Sequence, residues 1–596
     1  MTSSTKFIHR LNLEVEYPQI NPLAEQQPPA ADLRTHTEFL AKGSVHQEGA
    51  FALPCDIIVD YDQPLIMRDG VTLYADVFRP DTKEQVPAIL VYTPYCKREG
   101  WWNTNAHPVR FGVPASTLSG LQAFEAPDPG WWCGQDYAVV YVDAAGTSHS
   151  EGDQPFLGTE LGERGYDAIE EIAKKAWCTG AIAMAGNSQL AMVQWTIAAL
   201  RPPHLKAIAP WEGLIDLYRE SSVRGGIPDG DFQEKAISCF LFGNTRSDSP
   251  ALNAKRYPLM NAYWEDKRAP IEQIVIPAYF VASWTSPLHA NGTVTAYRRV
   301  ASKQKWMRVH NTQEWVDIAD LDNARDLKRF FDRFLKGIEN DWEATPPVRL
   351  STLNPGGVDR VGRAESSWPL ERQHLRKFHL DAAQNKLLPQ PAKDASSIAY
   401  NSEDLRASIR FAIEVEREME ITGYITLRMC VEAESANDLD LFTALYKEDA
   451  SGKRLHHITL SAPDKRKWVE SMKEDGKLPA TLSYTGPTGR LRVSHRALDE
   501  MLSTPDEPVM SHREEQLVAP GQIVPVDLTL WPTSMVVNAG ERLVVEIGGH
   551  EVGPLSPKAV PLPGSFLSLA TRNRGIHRIH TGGQYESWLK LPIIPN

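Results

Sequence analysis

The stretch Ala183–Trp195, AMAGNSQLAMVQW, decides how the chain is read. It opens as a short apolar run, breaks at Gly186-Asn187-Ser188 and continues in residues that favour a helix. A strand that turns sharply into a helix through a serine is a setting for a nucleophile. The five-residue pattern Gly-x-Ser-x-Gly is not met, because Leu190 stands where the second glycine belongs. Whether Ser188 is a nucleophile or an ordinary turn serine depends on the rest of the chain.

Outward from this segment, short apolar runs alternate with helical stretches. They are Pro87–Tyr95, Tyr137–Gly146, Ala181–Ser188, Leu205–Gly213, Ile276–Trp284 and Lys305–His310. Runs without alternation suit central strands of a parallel sheet buried on both faces, which with intervening helices makes the class α/β. Asp69-Gly70 between two alternating runs is a hairpin signal. Leu327, Phe330, Phe331, Phe334, Leu335 and Ile338 share one face of a helix ending near Gly337, which closes this domain.

Other segments differ in texture. Residues 1–50 are polar, contain proline, and read as an extension packed on the main body or partly loose. The α/β domain takes 51–217 and 275–345, and the interval 218–274, which includes DFQEKAISCFLFGN, reads as a helical cap. From 346 to 596, strand-like runs separated by Gly, Pro and Asn indicate an all-β sandwich. There is no internal repeat.

At 596 residues the chain is too long for a single core. Its net charge of −13 argues against a nucleic-acid partner. No stretch is apolar enough to span a bilayer, and the first residues lack a signal-peptide core, so the expected compartment is the cytoplasm. Cys55, Cys96, Cys133, Cys178, Cys239 and Cys430 show neither CxxC nor zinc-ligand spacing, and read as reduced structural thiols. No P-loop, dinucleotide fingerprint or metal triad is present, so no cofactor and no metal are expected. The expected partner is a small-molecule substrate, with a homo-oligomer left open.

The order of parts and several phrases resemble the cocaine-esterase and X-prolyl dipeptidyl-peptidase family of serine hydrolases. The phrases are MRDGVTLYADVFRP, TPYCK, AWCTGAIAMAGNSQL, FFDRFLKG, GRLRVSHRALD and ESWLKLPIIP, spanning residues 57 to 594. The resemblance implies an α/β-hydrolase domain with a helical cap and a C-terminal jelly roll. The family elbow commonly reads Gly-x-Ser-x-Leu-Gly, which accommodates Leu190 and leaves Ala191 in place of a glycine.

Acyl transfer needs a nucleophile, a base, a group that orients the base, and oxyanion donors. Ser188 is the candidate nucleophile and the backbone N–H of Gln189 one donor; the resemblance makes the Tyr95 hydroxyl the second. The acid and base depart from the family pattern. Where the family carries an Asp after the seventh strand, this chain has Ser286; where it carries a His after the eighth, it has Glu314. Two readings follow. In the first, the triad is relocated to Ser188, His310 and Glu212, with Glu314 a rival for the third role and His289 a reserve base. In the second, the hydrolytic machinery is lost, and the site catalyses a cyclisation, elimination or C–C rearrangement, or only binds a ligand. Trp101, Trp102, Trp131 and Trp132 are candidates to line an apolar substrate pocket. The first reading is preferred: a hydrolase of an ester, amide or related acyl bond in a bulky apolar small molecule.

Overall fold

The computed structural model describes residues 5–26, 30–98, 113–229, 241–460, 467, 483–552 and 571–595. Two compact units divide the chain. The first comprises Met1–Leu217, Lys235–Asn253 and Ala262–Arg349; the second comprises Tyr218–Glu234, Ala254–Asn261 and Leu350–Asn596.

In the first unit the strands are β1 (Thr5–Ile8), β2 (Leu13–Glu16), β3 (His36–Leu40), β4 (Ile57–Ile66), β5 (Thr72–Pro80) and β6 (Val86–Thr93). They continue as β7 (Ala138–Asp143), β8 (Cys178–Asn187), β9 (Leu205–Trp211), β10 (Ala278–Ser283) and β11 (Lys305–His310). β1 and β2 form a separate antiparallel pair. The others lie side by side in the order β11-β10-β9-β8-β6-β7-β5-β4-β3. β6 to β11 run parallel, whereas β5, β4 and β3 are antiparallel. β7 and β10 are buried at every residue, as unalternating apolar runs require. The hairpin at Asp69-Gly70 joins β4 to β5, and β3 shows that the N-terminal extension contributes a strand to the sheet. This is the α/β class the sequence leads one to expect.

Helices cover the sheet. Gln189–Ala199 is buried at all its residues, which explains its largely apolar sequence, with Gln189, Gln194 and Thr196 the polar exceptions. In Leu321–Leu335, Leu327, Phe330 and Phe331 are buried, and Phe330 packs among Trp306, Tyr279 and Trp342. Ile338 departs from the expected face: it follows Gly337, where the helix has ended, and is 45% exposed. Most of the helical stretch expected near residues 231–244 lies outside the described residues. No helix among the described residues is long and apolar enough to cross a membrane.

The second unit is all-β from residue 350 onward. Its long strands Met419–Ala433 and Val524–Val537 pair antiparallel, with an irregularity between Gly423 and Ile425. Its main core includes Phe411, Leu427, Leu445, Leu528 and Val545, with a smaller cluster of Ala444, Tyr446 and Val544 beside it. Beside the core, Arg492 Nε donates to Asp440 Oδ1 at 2.8 Å, with both residues buried.

Candidate active site

β8 ends in the turn that the opening stretch implied. Ser188 has φ 56° and ψ −121°, a region costly for a residue with a Cβ, and caps the helix Gln189–Ala199. Its backbone N–H reaches the carbonyls of Trp211 (3.1 Å) and Glu212 (3.0 Å), so β9 fixes the turn from the side. Two glycines make room. At Gly186, φ 144°, a Cβ would meet the Leu190 Cβ at 2.6 Å; at Gly213, a Cβ would meet the Ala191 Cβ at 3.1 Å. The position that is glycine in the common elbow is therefore alanine here, with a glycine facing it.

Ser188 Oγ stands 3.4 Å from His289 Nε2, and His289 Nδ1 stands 3.2 Å from Glu314 Oε2. Both partners come from strand ends. His289 precedes the helix Ala290–Arg299 after β10, and Ser286 Oγ accepts from its backbone N–H at 3.1 Å, which holds the turn. Glu314 begins the short helix Glu314–Ile318 after β11, where its charge is favoured. Asn187 Nδ2 donates to Glu314 Oε2 at 3.2 Å. Burial opposes ionisation of Glu314, but the hydrogen bond and charge of His289 and the Asn187 amide outweigh it and lower its pKa.

The expected pairing of His310 with Ser188 is corrected by this geometry. His310 Nε2 lies 2.8 Å from Glu212 Oε1, and its Nδ1 lies 3.0 Å from Thr312 Oγ1. Both ring nitrogens are thus engaged away from the serine, and His289 takes the place at the hydroxyl. Burial lowers the pKa of His310 to about 4. It also drives that of Glu212 well up, helped by the charge of Glu314.

Tyr95 and Gln189 also border the hydroxyl. The Tyr95 side chain hydrogen-bonds with Ser188 and with the backbone N–H of Gln189, and burial raises its pKa far above the ordinary phenol value. A third carboxyl, Glu125, sits in a loop without period, so nothing in the sequence marks it. Trp315 Nε1 donates to its Oε1 at 2.9 Å, the Asn187 N–H donates to its carbonyl at 3.0 Å, and its side chain hydrogen-bonds Tyr95. Burial first, and Glu314 second, push the Glu125 pKa well up. The three glutamates are therefore unequal: the pKa of Glu314 is lowered, whereas those of Glu125 and Glu212 are raised.

Residues 69–257 match the X-Pro dipeptidyl-peptidase (S15 family) model, and residues 340–590 match the X-Pro dipeptidyl-peptidase C-terminal non-catalytic domain. The cocaine esterase of Rhodococcus sp. (strain MB1 Bresler) is 36% identical over 89% of this chain and 97% of its own length. The chain belongs to the cocaine-esterase and X-Pro dipeptidyl-peptidase family. A CocE/NonD family hydrolase from Staphylococcus aureus superposes with TM-score 0.85 at 29% identity, covering 97% of this chain and 99% of that one. An α-amino acid ester hydrolase, TM-score 0.64 at 15% identity over 90% of this chain and 97% of that one, shares the fold. Like its relatives, this esterase/peptidase-type hydrolase joins an α/β-hydrolase domain to a C-terminal all-β domain.

Within this family member, a cavity of about 80 Å³ opens beside the β8 turn, lined among others by Leu118, Phe124, Glu125, Trp131, Trp132 and Gly186. Trp131 and Trp132 meet edge to face at 4.8 Å on the short helix Pro129–Cys133. Trp101 and Trp102 lie outside the described residues.

Proposed function

We propose that the chain is a serine hydrolase that cleaves an ester, amide or related acyl bond through Ser188, with His289 as base and Glu314 orienting it. One observation carries this reading: an imidazole that touches the Ser188 hydroxyl at 3.4 Å on one nitrogen is held by a carboxylate at 3.2 Å on the other. Such contacts are commonly loose in a substrate-free site and tighten in the complex. With its proton on Nδ1, His289 donates to Glu314 and offers the Nε2 lone pair to Ser188.

Ser188 Oγ then attacks the acyl carbon as its proton passes to Nε2, and the negative oxygen is received by the Gln189 N–H and the Tyr95 hydroxyl. The tetrahedral species collapses, the leaving alcohol or amine takes the proton from Nε2, and an acyl-enzyme remains. Water repeats the cycle in the second half-reaction and restores Ser188. Burial suits Tyr95 to this role, because a phenol that resists ionisation keeps its proton to donate.

The two loops have exchanged roles relative to the family pattern. The loop after β10 supplies the base instead of the acid, and the loop after β11 supplies the acid instead of the base. A hydrolase fold with no base at its serine, the alternative reading, is what the His289 approach argues against. Trp131, Trp132 and Phe124 around the cavity support an apolar acyl or leaving group.

A fluorophosphonate probe tests the assignment. Labelling located at Ser188 by peptide mass spectrometry, abolished in Ser188→Ala and slowed about 10³-fold or more in His289→Ala, is expected. Equal labelling of wild type and His289→Ala, with loss in His310→Ala, would return the base to His310.

A further inference from the structure

The site holds more carboxyl groups than acyl transfer uses. Ligand-capable atoms of Glu212, His289 and Glu314 all lie within 4.8 Å of one another. The set mixes one imidazole with two carboxylates, the donor class that transition metals take. Its geometry is already partly that of a chelate. The 3.2 Å between His289 Nδ1 and Glu314 Oε2 is close to the roughly 3.4 Å that two bonds of about 2.1 Å to one ion span at a tetrahedral angle. Glu212 supplies the third corner: it is 1% exposed, its Oε1 is taken by His310, and its Oε2 has no hydrogen-bond partner among the described residues. A buried carboxylate oxygen without a donor is costly unless something positive reaches it.

We propose that Glu212, His289 and Glu314 form a binding site for a divalent transition-metal ion of the zinc class, and that the bound ion switches hydrolysis off. The inhibitory half rests on the triad reading above. The ion bonds to His289 through the Nδ1 lone pair. Nδ1 loses its proton and Nε2 gains one, so the ring stays neutral. Nε2 is then a donor, and it has no lone pair with which to take the proton of Ser188. The ion also draws Glu314 away from its role as acceptor for Nδ1–H. Bound as carboxylates, with any proton on Glu212 released to solvent as the ion enters, the two glutamates together match the charge of the ion. Calcium and magnesium, which prefer all-oxygen shells, are poor fits to this set.

The test uses the full chain, stripped with EDTA and desalted, with Zn²⁺ as the probe. Calorimetric titration is expected to show one site that Ser188→Ala keeps, and that Glu212→Gln and Glu314→Gln each weaken by about tenfold or more. Melting temperatures of the metal-free variants check that each one folds. Co²⁺ gives a readout on wild type alone: a visible ligand-field band that Zn²⁺ displaces. In parallel, fluorophosphonate labelling of Ser188 is expected to fall at least about tenfold with Zn²⁺ and to recover with EDTA.

Zinc heats unchanged in both glutamine variants, or no displaceable cobalt band, would overturn the site. Zinc bound at the site with labelling undiminished would overturn the inhibition. A metal-free chain that never labels would instead sink the triad reading, while calorimetry and the cobalt band would still decide the site.

Discussion

Ser188 and Glu212, with φ of 56° and 54°, hold strained backbone conformations at the ends of adjacent strands, β8 and β9. Strain of about 1–3 kcal/mol at each persists only where the surroundings over-determine it, as at functional turns. The side chains around them sort by proton affinity. Burial raises the Glu125 pKa in the folded state well above the ordinary value of 4.5 near which it ionises in the unfolded chain. At this position the folded state therefore binds more protons than the unfolded one above that pH, and Glu125 contributes a loss of stability as pH rises. Glu125→Gln removes this loss. From pH 5 to pH 8 its melting temperature is expected to move upward relative to wild type, by the equivalent of about 1 kcal/mol or more. A pH-independent difference would mean that Glu125 stays ionised. At the same scale, His310→Ala is expected to keep fluorophosphonate labelling of Ser188 within about tenfold of wild type, because both its nitrogens point elsewhere.

The element that carries the nucleophile depends on close approach. The helix Gln189–Ala199 is wholly buried, and its first turn lies against Gly186 and Gly213. Gly186→Ala would set a Cβ 2.6 Å from that of Leu190, at a φ of 144° that L residues rarely adopt. A loss of about 1–3 kcal/mol, read as a lowered melting temperature, and slower labelling of Ser188 are expected. Labelling and stability equal to wild type would show that the turn relaxes freely. The missing second glycine of the elbow was legible as an anomaly, and its resolution was not. Gly213 faces Ala191 only because β9 lies beside β8.

At the scale of the whole molecule, each unit has its own buried core and its own buried charges. In the β unit, Asp440 receives Arg492 through two nitrogens, at 2.8 and 2.9 Å, and also the Arg572 N–H at 2.8 Å. Asp440→Asn removes the carboxylate that the buried Arg492 guanidinium pairs with, leaving Asp438 and Glu515 as more distant counter-charges. Such a change costs about 3–5 kcal/mol, so thermal denaturation followed by tryptophan fluorescence should move several degrees lower. An unshifted melting curve would mean that Arg492 finds another acceptor.

The sequence by itself determined the class, the succession of an α/β part and a β part, the nucleophile turn and the family. These follow from local facts: unalternating runs make buried strands, Gly-Asn-Ser breaks a strand into a helix, and phrases along the chain carry the family likeness. It also placed His289, Glu314, Glu212 and His310 at strand ends, because such ends are where a parallel sheet presents side chains. It did not pair them. His310 looked the better base for its position at the end of β11, yet only the sheet order decides that β9 brings Glu212 to it and so occupies it. His289 reaches Ser188 because the turn after β10, tied by Ser286, sends the start of the next helix toward the end of β8. Pairing of this kind depends on angles and distances between strands far apart in sequence, and no spacing along the chain encodes it.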